Sequence, residues 1–191
     1  MASLIPTNFP IPPESALANY DWQDIASGIG YKTFYLCTQY NTTDDTTYFL
    51  ADRVDQSEDD FVEVGSAGRD FDTSVFNYTR TIKGTAIVIL GFNASESRAL
   101  TARLIKVSEA AAETEIAAAR TSSSSSAEDY KRVHLSVAET TINPGEKLRL
   151  EVTESGQAYL GTSPTETTVT TPAASLTKSQ SRLIIPFKVE L

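Results

Sequence analysis

The sequence predicts an all-β fold: an antiparallel β-sandwich, jelly-roll-like, with an extended N-terminal arm. Beyond Gly30, segments rich in Val, Ile, Thr, Tyr and Phe recur with polar turns between them, as they do in sandwiches and barrels. Two segments, 132–137 and 147–153, alternate apolar and polar side chains without a break, which buries one face of a strand and wets the other. Ahead of them, Pro6, Pro10, Pro12 and Pro13 fix φ and remove amide donors, so that stretch should pair poorly with any sheet. The arm is assigned to residues 1–27 and the sandwich to 28–191, with Ser27-Gly28-Ile29-Gly30 as the hinge between them.

Taken in order, the strand candidates are 31–39, 47–54, 61–65, 80–92, 98–107, 132–137, 147–153 and 182–191. The fourth carries Gly84, where a bulge is expected. Segment 109–120 is ambiguous. Its alanines favour a helix by intrinsic propensity, whereas a hairpin out of 103–107 would use 114–121 as its return strand. Residues 122–126 are all serine and should form a flexible polar loop without an apolar anchor. In 132–137, Val133, Leu135 and Val137 face inward; in 147–153, Leu148, Leu150 and Val152 do. Asn143-Pro144-Gly145 supplies a type II turn between these two runs, which are expected to form an antiparallel pair. The last strand contains Pro186, which cannot donate to a ladder and marks either a sheet edge or a bulge.

Composition narrows the function. The 191 residues suit one core, with 40% apolar side chains. The net charge of −9 should repel phosphate backbones, so nucleic acid is not an expected partner. The opening residues lack the basic region of a secretory leader, and no apolar run reaches the roughly 20 residues that cross a bilayer, so no membrane is expected either. Cys37 is the lone cysteine, compatible with a reducing cytoplasm and with a packing role.

Nothing along the chain reads as catalytic machinery, and the expected class is non-enzymatic, with no catalytic, cofactor-binding or metal-binding residue. His134, the single histidine, falls on the polar side of its strand, and no G-x-S-x-G elbow occurs. Gly28-Ile29-Gly30 opens like a dinucleotide loop, but Thr33 replaces the third glycine and a strand follows. The acidic clusters Asp44-Asp45, Glu58-Asp59-Asp60 and Asp70-x-Asp72 offer calcium-type oxygens without the spacing of a calcium loop, and are read as solvated loop charge. Asn41-Thr42-Thr43, Asn77-Tyr78-Thr79 and Asn93-Ala94-Ser95 match the glycosylation triplet, which a Ser/Thr-rich chain produces by chance. Trp22, the single tryptophan, suits a core or anchoring role better than ligand stacking. If the arm docks on another surface, Phe9, Ile11, Tyr20 and Trp22 are its contact residues.

The run Asp21-Trp22-Gln23-Asp24-Ile25-Ala26-Ser27-Gly28-Ile29-Gly30-Tyr31 resembles the opening of structural proteins of tailed bacteriophages. Asp70-Phe71-Asp72, residues 80–86 (RTIKGTA), 144–150 (PGEKLRL) and 185–191 (IPFKVEL) resemble the same family in the same order. The resemblance implies a jelly-roll-like capsid cement or decoration protein. Its partners would be the major capsid protein or other virion proteins, and it would form a homo-oligomer, for instance a trimer. It would be made in the host cytoplasm and would sit on the outer capsid surface. A head-fibre or tail component, or a carbohydrate- or receptor-binding sandwich module, is the alternative.

Overall fold

The computed structural model describes residues 29–39, 47–53, 61–94, 98–124, 128–162, 169–170, 175–176 and 180–188. These residues form strands and turns, with no helix among them. The all-β expectation is met, and the alternation read from the sequence is its cause. In β9 (Lys147–Thr153), Leu148, Leu150 and Val152 are fully buried while their neighbours reach the surface. In β8 (Glu128–Ile142), Val133, Leu135 and Val137 point inward while His134 is exposed.

The remaining strands of the large sheet are β1 (Ile29–Gln39), β2 (Thr47–Ala51), β3 (Phe61–Gly65), β4 (Arg69–Thr73), β5 (Arg80–Ala94), β6 (Thr101–Val107), β7 (Glu113–Thr121), β10 (Gln157–Gly161) and β13 (Arg182–Lys188). Two short strands, β11 (Val169–Thr170) and β12 (Ser175–Leu176), pair only with each other. The path of hydrogen-bonded neighbours runs β3-β10-β5-β13-β1-β2-β4-β9-β6-β7, and β8 pairs with the free side of β5. All pairings are antiparallel except the short one between β2 and β4. The sheet curls until β7 lies beside β8, leaving a nearly closed, jelly-roll-like sandwich around one apolar interior. Leu36, Phe71, Ile82, Leu90, Leu104, Leu135 and Leu150 fill that interior.

Two irregularities expected from sequence coincide in space. The β5–β8 register shifts between Ile82 and Gly84, and the β13–β5 register shifts between Ile184 and Phe187, across Pro186. Gly84 has φ +123°, and a side chain there would meet the Pro186 ring at 3.5 Å. Proline cannot donate to β5 and glycine tolerates the turned backbone, so each accommodates the other. Asn143 to Glu146 forms the type II turn, with Gly145 at φ +84° and the Glu146 amide donating to the Asn143 carbonyl at 3.1 Å.

Other expectations need correction. Strands β8 and β9 do not pair with each other: β8 ladders along β5, and β9 sits between β4 and β6. A type II turn splays its flanking strands, whereas hairpins favour the primed types, so this turn sends the chain from one side of the sandwich to the other. At 109–120 the hairpin alternative holds and nothing needs correcting: the segment is a turn and the return strand β7. Pairing with β6 and burial of Ala117 outweigh alanine's propensity, even with Ala111 in the left-handed region. Ser122 is buried and anchored: its hydroxyl accepts from the Leu100 amide at 3.0 Å, and its own amide donates to the Leu100 carbonyl. Strands β4 and β10 lack the alternation that marks the others: β4 has one apolar side chain, Phe71, between two aspartates, and β10 buries four residues in succession.

Ser181 joins the pieces around β5. It is fully buried, its hydroxyl accepts from the Gly91 amide at 3.0 Å, its amide donates to the Gly161 carbonyl at 2.8 Å, and its carbonyl accepts from the Leu36 amide at 2.9 Å. The serine therefore ties β5, β10 and β1 together where β13 gives way to β10 along β5. Ser181→Ala should leave the Gly91 amide without its partner and lower stability by about 1–3 kcal/mol. An unchanged urea midpoint would show that the hydroxyl contributes nothing at this junction.

Candidate functional site

One end of the sandwich opens into a cleft of about 650 Å³. Its walls come from the start of β1, the end of β2, the connection between β4 and β5, the start of β5 and the end of β13. The β4–β5 connection is held at its middle: the Phe76 amide donates to the Glu146 carbonyl at 2.8 Å, and the Gly145 amide donates to the Phe76 carbonyl at 2.9 Å. The Phe76 ring packs 6.2 Å from that of Phe187. With Phe76 half-buried, Val75, Asn77 and Tyr78 around it are exposed, Val75 at 53% and Tyr78 at 72%. Tyr31, on β1, adds a third exposed apolar surface at 38%.

Around these apolar groups the cleft carries Lys32, Arg80 and Lys188 against one carboxylate, Asp52. Lys32 lies 5.0 Å above the Phe34 ring and 3.8 Å from Asp52, and Lys188 lies 3.6 Å from Glu139. The cleft is therefore a basic, aromatic recess on a chain of net charge −9. Exposed tyrosines beside half-exposed lysines present flat apolar area together with polar tips, the combination that binding surfaces favour.

The opposite arrangement covers the outer face of β4, β9, β6 and β7, where charges neutralise each other. Asp72 accepts from Arg149 Nε at 2.6 Å, Arg149 Nη2 at 2.9 Å and Lys147 Nζ at 2.5 Å. Arg149 also reaches Glu113 at 2.5 Å and Asp70 at 3.2 Å, while Arg103 joins Glu151 at 2.5 Å and Glu115 at 3.7 Å. Asp70 and Asp72, read from sequence as solvated loop charge, instead lie on a strand and spend their oxygens on these cations. Burial opposes ionisation of Asp72, but hydrogen bonds from Arg149 and Lys147 outweigh it and hold its pKa below the ordinary value. Burial pushes Asp70 the other way, with Arg149 offsetting only part of the shift. A second hollow, between Ser66 and Thr121, contains Glu154, whose side chain is buried. Its carboxylate accepts from the Gly156 amide and the Ser155 hydroxyl and lies 3.6 Å from Arg98, so it fastens its own turn.

The arm residues Phe9, Ile11, Tyr20 and Trp22, and the acidic clusters at 44–45 and 58–60, lie outside the described residues. Sequence reading missed the cleft residues Tyr31, Val75, Phe76 and Tyr78. A usable signal was present: Val75-Phe76-Asn77-Tyr78 places three apolar side chains in a short connection between polar ends. The glycosylation triplet Asn77-Tyr78-Thr79 overlaps it. Cys37 is fully buried, as a packing residue is expected to be.

No protein-family model matches the sequence, and no curated protein matches it. Solved structures do match. A CocE/NonD family hydrolase from Staphylococcus aureus superposes with a TM-score of 0.63 at 15% identity, over 84% of this chain and 37% of the hydrolase. An aminopeptidase from a marine sediment Thaumarchaeota archaeon gives a TM-score of 0.56 at 11% identity, over 81% and 37% of the two chains. An α-amino acid ester hydrolase gives 0.50 at 14% identity, over 82% and 35%. The chain thus spans little more than a third of the length of these proteins. At such identities what is shared is the fold, and it is a fold that hydrolases carry. This overturns the expectation of a non-enzymatic class. That expectation rested on missing motifs, and strand-and-turn patterns say how a chain folds without reporting which chemistry accompanies it.

The Asp72 cluster makes a pH prediction. A carboxyl whose folded pKa lies below its unfolded value of about 3.9 stabilises fully above that value and loses its contribution as the pH falls through the folded one. Asp72→Asn should cost about 1–3 kcal/mol at neutral pH and flatten the loss of stability in acid. Urea midpoints that fall equally steeply with pH in both proteins would contradict this role.

Proposed function

We propose that this all-β module works by binding, as a structural protein of a virion. In this reading it is a capsid cement or decoration protein seated on the lattice of the major capsid protein, assembled as a homo-oligomer on the outer capsid surface. The observation that carries the reading is the cleft, where Val75 and Tyr78 stand exposed on a connection pinned by Phe76 and Tyr31 stands exposed on β1. A rigid apolar patch loses little conformational entropy when covered, so more of its contact energy appears as affinity. The resemblance to bacteriophage structural proteins and the acidic remainder of the surface support the same reading. Purified chain should co-sediment with particles that lack it. Tyr78→Ser should weaken that association by roughly 2 kcal/mol or more, as for a residue at the centre of an interface. Retention of Tyr78→Ser at the wild-type level, or no association of either protein, would reject the proposal.

A carbohydrate- or receptor-binding module is the second reading, favoured by one observation: the Tyr78 ring is exposed next to Asn77 in the sequence, in a cleft whose lining also includes Asp52. An aromatic face in a recess that also carries an amide and a carboxylate suits a sugar ring and its hydroxyls. A glycan array should then show binding that Tyr78→Ser abolishes; signals at background would dismiss this reading.

A further inference from the structure

The side chains that β5 turns inward fix those that it turns outward. Ala86, Val88 and Leu90 are buried in the core, so strand alternation places Ile87 and Ile89 on the outer face. The registers extend that face into two rows across β8, β5, β13 and β1. His134, Ile87, Ile184 and Thr33 form one row, and Arg132, Ile89, Arg182 and Tyr35 form the next. The three isoleucines are half-buried, and Arg132, His134 and Arg182 are exposed around them. Neither row contains a carboxylate, although the chain has 25 acidic side chains. On the outer face of β4, β9, β6 and β7 the arginines are matched, Arg103 by Glu151 and Arg149 by Glu113. Arg132 and Arg182, in contrast, have no ion pair among the described residues. They flank Ile89 from the two strands on either side of it, so two strand spacings set them about 10 Å apart.

We propose that this face receives an acidic protein surface, on which two carboxylates about 10 Å apart seat against Arg132 and Arg182 and apolar side chains between them cover Ile87, Ile89 and Ile184. An unpaired guanidinium presents a planar fork of donors that matches a carboxylate, and arginine and tyrosine beside aliphatic area are the residues that interfaces concentrate. Charge alone does not select the partner. The net charge of −9 repels polyanions at long range, so contact with the isoleucines has to supply part of the affinity, which favours a protein over a phosphate or sulfate polymer. A second copy laid face to face is disfavoured, because an isologous contact sets each arginine against rows that hold no carboxylate. None of these eight residues lines the cleft, so the face is a contact separate from the one that carries the proposed function.

The probe is a soluble copolymer of glutamate and tyrosine, compared with polyglutamate and with dextran sulfate. Measured by fluorescence anisotropy of the labelled polymers, the copolymer should bind about tenfold more tightly than either of the others, and the methyl NMR signals of Ile87, Ile89 and Ile184 should move as it does so. Arg132→Glu with Arg182→Glu should weaken that binding about tenfold or more. Arg132→Gln with Arg182→Gln, which adds no negative charge, should weaken it in the same direction. Both arginines are exposed, so circular dichroism should show the β-fold intact in each variant. Lys83→Glu with Arg120→Glu alters the net charge as much as the double reversal but lies outside both rows, and should leave the affinity near the wild-type value. Absence of copolymer binding, or binding that neither arginine variant weakens, would overturn the proposal. Equally tight binding of polyglutamate or dextran sulfate would also overturn it, since the face would then read charge alone. So would dimerisation of the chain without any probe that the arginine variants abolish, because the occupant would then be a second copy. Co-sedimentation with particles is read on Tyr78 in the cleft, so the two ideas fall separately.

Discussion

Strand β5 has to serve three partners at once, and the fold is arranged around how it does so. One side ladders with β8 over nearly the whole strand; the other is shared, with β13 taking Ile82 to Ile89 and β10 taking Phe92 to Ala94. Such a division requires a place where one neighbour leaves and another begins without orphaning backbone groups, because a buried unpaired amide costs as much as a lost hydrogen bond. Ser181 fills that role from outside the ladder, accepting from Gly91 and linking to Gly161 and Leu36. The other end of the shared edge is relieved by the paired irregularities at Gly84 and Pro186. Because β13 also pairs with β1 along its length, the start of β1, the start of β5 and the end of β13 arrive at one end of the sandwich. That convergence creates the cleft.

Period-two patterning made much of this architecture legible in the sequence. Leu148, Leu150 and Val152 could be assigned inward because alternation has one interpretation when a single face is buried. Gly84 and Pro186 announced irregularities because each residue restricts what a ladder can do, yet nothing local showed that the two would meet. Pairing was harder to read than strand identity. The runs in β8 and β9 follow one another across a tight turn and still belong to different neighbours, since partner choice depends on the whole interior and not on proximity in the chain. Segment 113–121 shows the same limit: alanine's helical preference is a local quantity, and the gain from pairing with β6 is not. The cleft was the least legible part, because exposure of Tyr78 follows from the clasp on Phe76, which in turn depends on a turn nearly 70 residues away.

Charge placement separates surface that resists association from surface that invites it. The return strand β7 ends one side of the sheet path, and its Glu113 and Glu115 engage Arg149 and Arg103 on neighbouring strands. A free strand edge is a template for pairing with another chain, and charged residues along it are a common protection. At the opposite end of the path, β3 carries Glu63 outward between the buried Val62 and Val64. Edge-to-edge addition is thus discouraged at the β3 end, while the β7 end lies beside β8.

What remains is the end of the sandwich, and here the design is reversed. Three of the four large apolar side chains exposed among the described residues, Tyr31, Val75 and Tyr78, line the same cleft, and the fourth, Tyr130, stands on β8. Scattered exposed apolar residues need no explanation, but a cluster with a fixed backbone does. The outer-face cations are matched by strand carboxylates, whereas the cleft lining carries three cations against one carboxylate beside exposed apolar area, with Lys32 paired to Asp52 and Lys188 to Glu139. A surface that covers this cleft should therefore be apolar at its centre and acidic at its margin.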